Sequence, residues 1–416
     1  MKDPVQVFEH STLEVGEQGF KREQLDALAR YNDRHSCAFF KVGHERLTFS
    51  HFVGVIQVGS LAIEILPKAE KGATGDKGKW QRALVEMLRR AGMFDVKAAP
   101  DADLHRGKSS LLDLYLDAFL CEVERLSHAG LVKKYRTTEA NLYKLKGRIL
   151  FRQQISKNLL HRERMYTAHQ TYDRDNVFNR ILKCALSLVA ERLAVRTSLA
   201  ARAATLSLSF EDISESRVTV ETFDRLAWSR NTERYRKAIQ LARLIILNYS
   251  PDLRYGREHV LAFLFDMNKL FERFILKELH RAQRNRDTLE ITGQERKKFW
   301  NGRTIRPDIV ATFGDGDGKR VILDTKWKIP KNDQPEDDDL KQMYAYNLHF
   351  GSHRGVLVYP QANNKQQGIT GPYVPSEALR DYEHECATYY VELFDKDELK
   401  PRGRIGTDLI DKVICK

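Results

Sequence analysis

Cysteine is scarce in this chain. Five residues, Cys37, Cys121, Cys184, Cys386 and Cys415, are scattered over 416 positions. The number is odd and no C-x-x-C occurs, which excludes a zinc ribbon or a disulfide framework as the organising device. A reducing, cytoplasmic setting is therefore expected. Long apolar runs are missing as well. No stretch approaches the ~18 consecutive apolar residues of a membrane-spanning helix, so no membrane association is expected. The opening Met1-Lys-Asp-Pro-Val5 lacks the apolar stretch of a signal peptide. No G-x-x-x-x-G-K-[ST] is present, which excludes a P-loop nucleotide hydrolase. Internal repeats and heptads are also absent.

What the chain has is length and positive charge. Its 416 residues suffice for two or three domains, and a hydrophobic content of 42% suffices for packed cores. Lys and Arg total 69 against 57 Asp and Glu, a formal net charge of +12. A balance of this kind favours a polyanionic partner, because phosphate contacts dominate nucleic-acid affinity.

The pattern along the chain divides it in three. Residues 1–75 read as β-rich, with short strands over 37–42, 47–52, 54–59 and 61–66. Residues 69–79, rich in Gly and Lys, read as a loop. Residues 76–250 read as mixed and mainly helical, with amphipathic helices over 80–93, 111–126, 176–194 and 232–248 and an extended connection or short strand at 205–210. Within this part a basic hairpin is expected over 131–155. It carries Lys133, Lys134, Arg136, Lys144, Lys146 and Arg148, with Tyr135, Tyr143 and Phe151 interleaved. That composition suits a nucleic-acid or partner surface, and equally a solvated hairpin with its aromatics in the core. Residues 251–416 form the third part. It opens with a helix over 258–282 and continues with a strand over 291–299 and a turn at Asn301-Gly302. Two more strands follow, then a helix over 340–350 and strands at 356–359 and 388–394.

The chemistry lies in that third part. Arg306-Pro-Asp308-Ile-Val-Ala-Thr-Phe313 and Arg320-Val-Ile-Leu-Asp324-Thr-Lys326 flank a turn of Gly and Asp, residues that tolerate positive φ. If the hairpin folds about Gly316–Asp317, Asp308 faces Asp324, and such opposed residues lie about 4.5–5.5 Å apart at Cβ. Strand alternation puts Lys326 on the face of Asp324. Two carboxylates and an ammonium then converge. A hard divalent cation such as Mg²⁺, or Mn²⁺, offsets the like charges and keeps waters for a substrate phosphate. The lysine would orient or deprotonate a water, or offset charge developing on phosphorus. Glu272, inside the expected helix, reads from periodicity as a solvated edge residue. Gln342 and Tyr346, four apart, share a helix face.

This order, helix–strand–strand–strand–helix–strand, and these residues resemble the PD-(D/E)-x-K nuclease superfamily. The resemblance makes Asp308 the Pro-Asp aspartate, Asp324 the second acid, Lys326 the lysine and Glu272 a metal-binding acid on the preceding helix. Gln342-Met-Tyr-Ala-Tyr346 looks like the Q-x-x-x-Y motif of the RecB-like branch, a DNA contact. A narrower resemblance, over about residues 50–360, is to the McrC family. It rests on Phe265-Asp-Met-Asn-Lys-Leu-Phe-Glu272-Arg-Phe, Asp324-Thr-Lys326-Trp-Lys and Asp339-Leu-Lys-Gln-Met-Tyr-Ala-Tyr346. It rests also on Ile63-Glu-Ile-Leu-Pro-Lys68, Leu145-Lys-Gly-Arg-Ile-Leu-Phe151 and Asn179-Arg-Ile-Leu-Lys183. The resemblance implies a multidomain α/β and α+β protein: a β-rich N-terminal region, a helical middle and a C-terminal restriction-endonuclease-like domain. It implies Mg²⁺-dependent cleavage of DNA containing modified cytosine. The partner implied is McrB, an AAA+ GTPase ring whose pore the family's N-terminal region plugs and whose GTPase it stimulates. The basic stretch would then meet the pore or DNA. A stand-alone RecB-like nuclease and a non-cleaving activator of the motor are the alternatives.

Overall fold

In the computed structural model, the described residues are 4–35, 39–68, 77–93, 110–193, 197–250, 259–284, 286, 288–314, 319–330, 333–361, 368–374, 377, 382–394 and 403–415. The expected turn centre at Gly316–Asp317 and most of the loop 69–79 lie outside them. The chain forms two compact units that are not contiguous in sequence. One holds residues 1–2, 57–60 and 112–263. The other holds 3–56, 61–111 and 264–416. The expected segments 1–75, 76–250 and 251–416 are contiguous; the compact units gather the two ends of the chain into one. No helix among the described residues is long and apolar enough to cross a membrane.

The first unit combines helices with a three-stranded sheet. Its helices include Leu111–His128, Val177–Ser187, Thr197–Ser207 and Arg236–Asn248. The sheet corrects the expected hairpin over 131–155. Strands Lys134–Leu142 and Arg148–Ile149 do not pair with each other; each pairs antiparallel with Met165–Asp173, which lies between them. Cross-strand chemistry selects this partner. Thr138 and Thr171 hydroxyls meet at 2.8 Å, and Arg136 Nε lies 2.9 Å from Asp173 Oδ2. Phe151 belongs to the helix Phe151–Asn158 rather than to a strand. The extended connection expected at 205–210 is also helical. Thr205 and Ser207 donate their hydroxyls to the Ala201 and Ala203 carbonyls, so their side chains satisfy the helix instead of competing with it. Asn179 is fully buried and donates to the carbonyls of Val132 (3.0 Å) and Arg174 (2.7 Å). It accepts from Tyr235 Oη at 3.0 Å, and that oxygen accepts from Val132 N at 2.8 Å. The Asn179-Arg-Ile-Leu-Lys183 motif is thus a joint that fixes where the sheet leaves the helices.

The second unit is built on a six-stranded sheet. Its order is Leu289–Gly293, Ile309–Phe313, Arg320–Thr325, Arg354–Pro360, Glu385–Val391, Thr370–Pro372. The first three strands are antiparallel, and Arg320–Thr325, Arg354–Pro360 and Glu385–Val391 are parallel. Parallel neighbours need a crossover, supplied by the helix Asp337–Phe350. That helix packs close because Gly355 presents no side chain; a Cβ there would lie 2.6 Å from Met343 Cε. Val310, Ile322, Met343, Tyr346, Phe350, Leu357 and Tyr359 form the core between helix and sheet. The expected helix over 258–282 is corrected: Val260–Asp266 is a strand and the helix is Met267–Gln283. The run Val-Leu-Ala-Phe-Leu-Phe is apolar at every position, so periodicity cannot separate strand from helix there. Asp266 ends the ambiguity by capping, its side chain accepting from Asn268 N (3.0 Å) and Lys269 N (3.4 Å). The strand expected at 291–299 is two strands, Leu289–Gly293 and Lys297–Trp300, the second in a small hairpin with Arg303–Ile305. In the N-terminal segment of this unit, Val5–Phe8 pairs parallel with Leu61–Leu66. Glu64, fully buried, accepts from Gln6 Nε2 (3.0 Å), Gln81 Nε2 (2.9 Å) and Leu111 N (2.6 Å). The Ile63-Glu-Ile-Leu-Pro-Lys68 motif is a second structural joint.

Candidate active site

Ile309 pairs with Leu323, so one step along the same register Asp308 faces Asp324, as the hairpin spacing predicts. Asp308 Oδ2 accepts from Thr325 N at 2.8 Å and from Thr325 Oγ1 at 2.7 Å. The carboxylate is thereby locked to the neighbouring strand. Asp324 is buried, with Lys326 Nζ 2.8 Å from its Oδ2. Burial and the charge of Asp308 push its carboxyl up to about 7 against the pull of the ammonium. Lys326 also meets Asp339 Oδ1 at 3.4 Å and donates to Gln342 Oε1 at 2.8 Å. Burial works to lower its pKa, but Asp324 and Asp339 outweigh it and hold the ammonium above its usual range. Gln342 Nε2 donates to Tyr346 Oη at 2.8 Å, and Tyr346 donates to the Arg306 carbonyl at 3.0 Å. One chain of hydrogen bonds therefore runs from the lysine along the helix face to the residue before Pro307.

Asp308, Asp324, Lys326, Gln342 and Tyr346 come together. Glu272 stands somewhat apart. It accepts a hydrogen bond from Gln294 Nε2, and burial and the charge of Asp308 raise its carboxyl. Its side chain is half-buried, between the solvated edge that periodicity suggests and the acidic pair. Among the described residues no group of three or more His, Cys, Asp or Glu is gathered closely enough to hold a metal ion. The set Glu272, Asp308 and Asp324 is therefore not assembled as three direct ligands here. Asp339 and Lys328 lie within the motifs, but the sequence assigned them no part in the site. Asp339 is buried, 2.8 Å from Lys328 Nζ and 3.3 Å from Tyr359 Oη. Its signal was its spacing: it lies three residues before Gln342 and seven before Tyr346, on the same helix face.

The basic residues of 133–148 separate into two groups. Lys134 Nζ lies 4.3 Å over the Phe178 ring, and Arg136 is paired with Asp173 and with Asp175 (3.4 Å). These two are structural. Lys133, Lys144, Lys146 and Arg148 are exposed. The interleaved aromatics are on the surface rather than in the core, with Tyr135, Tyr143 and Phe151 all mostly exposed and the Tyr135 ring tilted against Tyr172 at 4.7 Å.

Directly after the lysine, Trp327 is buried and ties the segment following the Arg320–Thr325 strand to the N-terminal segment. Its Nε1 donates to Glu9 Oε1 at 2.7 Å, and Lys68 N donates to the same oxygen at 2.8 Å. Burial pushes the Glu9 carboxyl from 4.5 up to about 7. The folded protein thus holds this proton more tightly than the unfolded chain. The stabilisation is complete below about 4.5 and is lost as pH rises through about 7. The stability of the wild-type protein relative to Glu9→Gln should therefore fall between about pH 5 and about pH 8, by on the order of 3 kcal/mol. Denaturant titration of both proteins at the two pH values checks this; a difference that stays constant would refute it.

The architecture is that of a mixed α/β multidomain protein, with an acidic pair and a lysine at the junction of its central strands. Comparisons with known proteins agree in direction. The family model described as "McrBC 5-methylcytosine restriction system component" matches residues 47–360. The "Type IV methyl-directed restriction enzyme EcoKMcrBC" of Escherichia coli (strain K12) is 24% identical over 185 residues, 43% of this chain and 53% of that protein. The match thus spans about half the length of that curated relative. Among solved structures, a half-complex of a tetradecameric assembly of Thermococcus gammatolerans McrB AAA+ hexamers with bound McrC contains a similar chain. Its TM-score is 0.67 at 20% identity, covering 98% of this chain and 100% of that one. A chain of the Thermococcus gammatolerans McrBC complex matches with a TM-score of 0.50 at 23% identity, over 67% of this chain and 88% of that one. These two likenesses concern the fold. The chain belongs to the McrBC 5-methylcytosine restriction system component family.

Proposed function

We propose that this chain is the DNA endonuclease subunit of a McrBC-like modification-dependent restriction system, with a PD-(D/E)-x-K domain in its C-terminal part. The observation that carries the reading is the convergence of Asp308, Asp324 and Lys326, joined through Gln342 to Tyr346. The donor set fits a divalent cation. Burial first, and then the charge of Asp308, raise the carboxyls of both Asp324 and Glu272, and the like-charge part is what a cation offsets. Asp308 and Asp324 would hold it, with Glu272 acting through water, and Mg²⁺ suits such a site because it retains several waters. Mn²⁺ is equally compatible with oxygen donors. The chemistry supplied by such an ion is polarisation of the phosphate and acidification of a bound water.

The chain's own residues account for the rest. Asp308 is held rigid by the Thr325 amide and hydroxyl, so it needs little reorganisation during reaction. Lys326, kept as an ammonium by Asp324 and Asp339, acts by offsetting negative charge on phosphorus and by orienting water rather than by removing a proton. Gln342 and Tyr346 hold the DNA strand, Gln342 directly and Tyr346, which is buried, by fixing the Gln342 amide. Loss of DNA cleavage in Asp324→Asn and Lys326→Ala variants tests the assignment.

The proposed partner is an AAA+ GTPase ring, as in the Thermococcus gammatolerans complexes whose McrC chains share this fold. Recognition of modified cytosine in DNA falls to that partner. The exposed side chains of the three-stranded sheet and its helix are the surface offered for docking: Tyr135, Tyr143, Leu145, Phe151 and Leu160. Apolar exposure of this extent marks an interaction site. It also favours the second reading, in which activation of the motor is the main role. GTP turnover by the motor with and without the chain separates the two.

A further inference from the structure

The small hairpin just before Asp308 has no role in the site described above. Strands Lys297–Trp300 and Arg303–Ile305 are joined by Asn301-Gly302, with Gly302 at φ +69 and a bulge between Lys298 and Trp300. Its base is anchored on the helix that carries Gln342 and Tyr346. The Phe299 ring stands edge-on to His349 at 5.1 Å. Lys297 Nζ donates to the His349 carbonyl at 3.3 Å and lies 4.5 Å over the Phe350 ring. Its tip is the opposite. Trp300 is 71% exposed, although an indole is among the side chains that gain most from burial. Residues 294–306 contain five cations (Arg296, Lys297, Lys298, Arg303 and Arg306) against one carboxylate, Glu295. Arg296, Lys298 and Arg303 are exposed, and among the described residues none of them is held in an ion pair.

We propose that this hairpin is a DNA-contacting finger: Trp300 stacks on a nucleobase of the strand entering the centre, while Lys298 and Arg303 meet its phosphates. The proposal rests on the nuclease reading and adds to it the element that grips DNA beside the scissile bond. Three features favour DNA as the occupant. The charge is complementary to a polyanion. A flat exposed ring amid exposed cations is the combination that binds unpaired bases without regard to sequence. Only Arg306 and Pro307 separate the Arg303–Ile305 strand from Asp308, so a base held at the tip places its backbone toward the acidic pair.

The test is equilibrium binding of the full-length chain, without divalent metal, to fluorescently labelled DNA. Three forms are compared: single-stranded, continuous duplex, and duplex with a short gap. Trp300→Ala should weaken binding to the single-stranded and gapped forms roughly tenfold. Trp300→Phe should retain most of the affinity, and neither variant should change the salt dependence. The double variant Lys298→Ala/Arg303→Ala should lower the slope of log affinity against log salt by about 1.5. Wild-type affinity in Trp300→Ala on all three DNAs, or a wild-type chain that binds none of them, would overturn the finger. The two readings fail separately. If Asp324→Asn stops cleavage while Trp300→Ala binds normally, the nuclease stands and the finger falls. If Asp324→Asn cleaves like the wild type, the nuclease reading falls whatever the hairpin does.

Discussion

Replacing Asp324 by asparagine should stop DNA cleavage and leave the protein at least as stable as before. The two halves of this expectation have one cause. The Asp324 carboxyl is buried and pushed up to about 7 by desolvation and by Asp308, so the fold tolerates this charge at a cost. Asparagine keeps the shape and removes that cost. Lys326 then still has Asp339 and Gln342 as partners. A residue kept for packing would behave in the opposite way, since its loss would lower stability first. Lys326→Ala should also stop cleavage, by on the order of 10²–10³-fold or more if its part is electrostatic. That variant leaves Asp324 buried without its cation and should be the less stable of the two. Cleavage assays with Mg²⁺ and thermal melts on the same preparations check both halves. Wild-type cleavage in either variant would remove Asp324 and Lys326 from the chemistry.

Replacing Gly147 by alanine should disable the other compact unit. Gly147 has φ +74, and a Cβ there would lie 2.3 Å from the Ala168 carbonyl oxygen and 2.8 Å from His169 Cβ. Both neighbours belong to the central strand of the sheet, so neither moves without breaking its pairing with Lys134–Leu142. The backbone conformation and the overlap together cost about 3 kcal/mol or more. Arg148–Ile149 would leave the sheet, and with it the arrangement of Tyr143, Leu145 and Phe151. We expect faster proteolysis within residues 143–160 and loss of the proposed stimulation of GTP turnover by an AAA+ partner. The proposed cleavage chemistry, whose residues lie in the other unit, should not change in kind. Unaltered proteolysis together with unaltered GTP turnover would refute both the steric argument and the docking surface.

Much of the candidate site was legible because its parts lie close together in sequence. Asp308, Asp324 and Lys326 sit on a hairpin, where strand alternation and register follow from the turn. Gln342 and Tyr346 sit on one helix, where spacing alone gives the face. Glu272 was harder. Its helix begins after Asp266 and not at 258, and its partner Gln294 arrives from a separate strand. The mistaken hairpin at 131–155 has the same origin. Alternation marks a strand but not its partner, and the partner here, Met165–Asp173, lies beyond a helix.

The sequence by itself determined the local chemistry: the acidic pair with its lysine, the absence of a P-loop, and the basic balance. Short-range geometry is enough to convert each of these into a statement about function. Tertiary structure alone decided which contacts between distant segments complete the motifs. It brought Asp339 to Lys326 and Glu9 to Trp327. It showed that Glu64 and Asn179, residues of the family motifs, are buried joints rather than binding groups. It also left Trp300 in solvent at the tip of the hairpin whose second strand, Arg303–Ile305, precedes Asp308. These outcomes depend on burial and on contacts between segments far apart in the chain, and neither spacing nor periodicity encodes them.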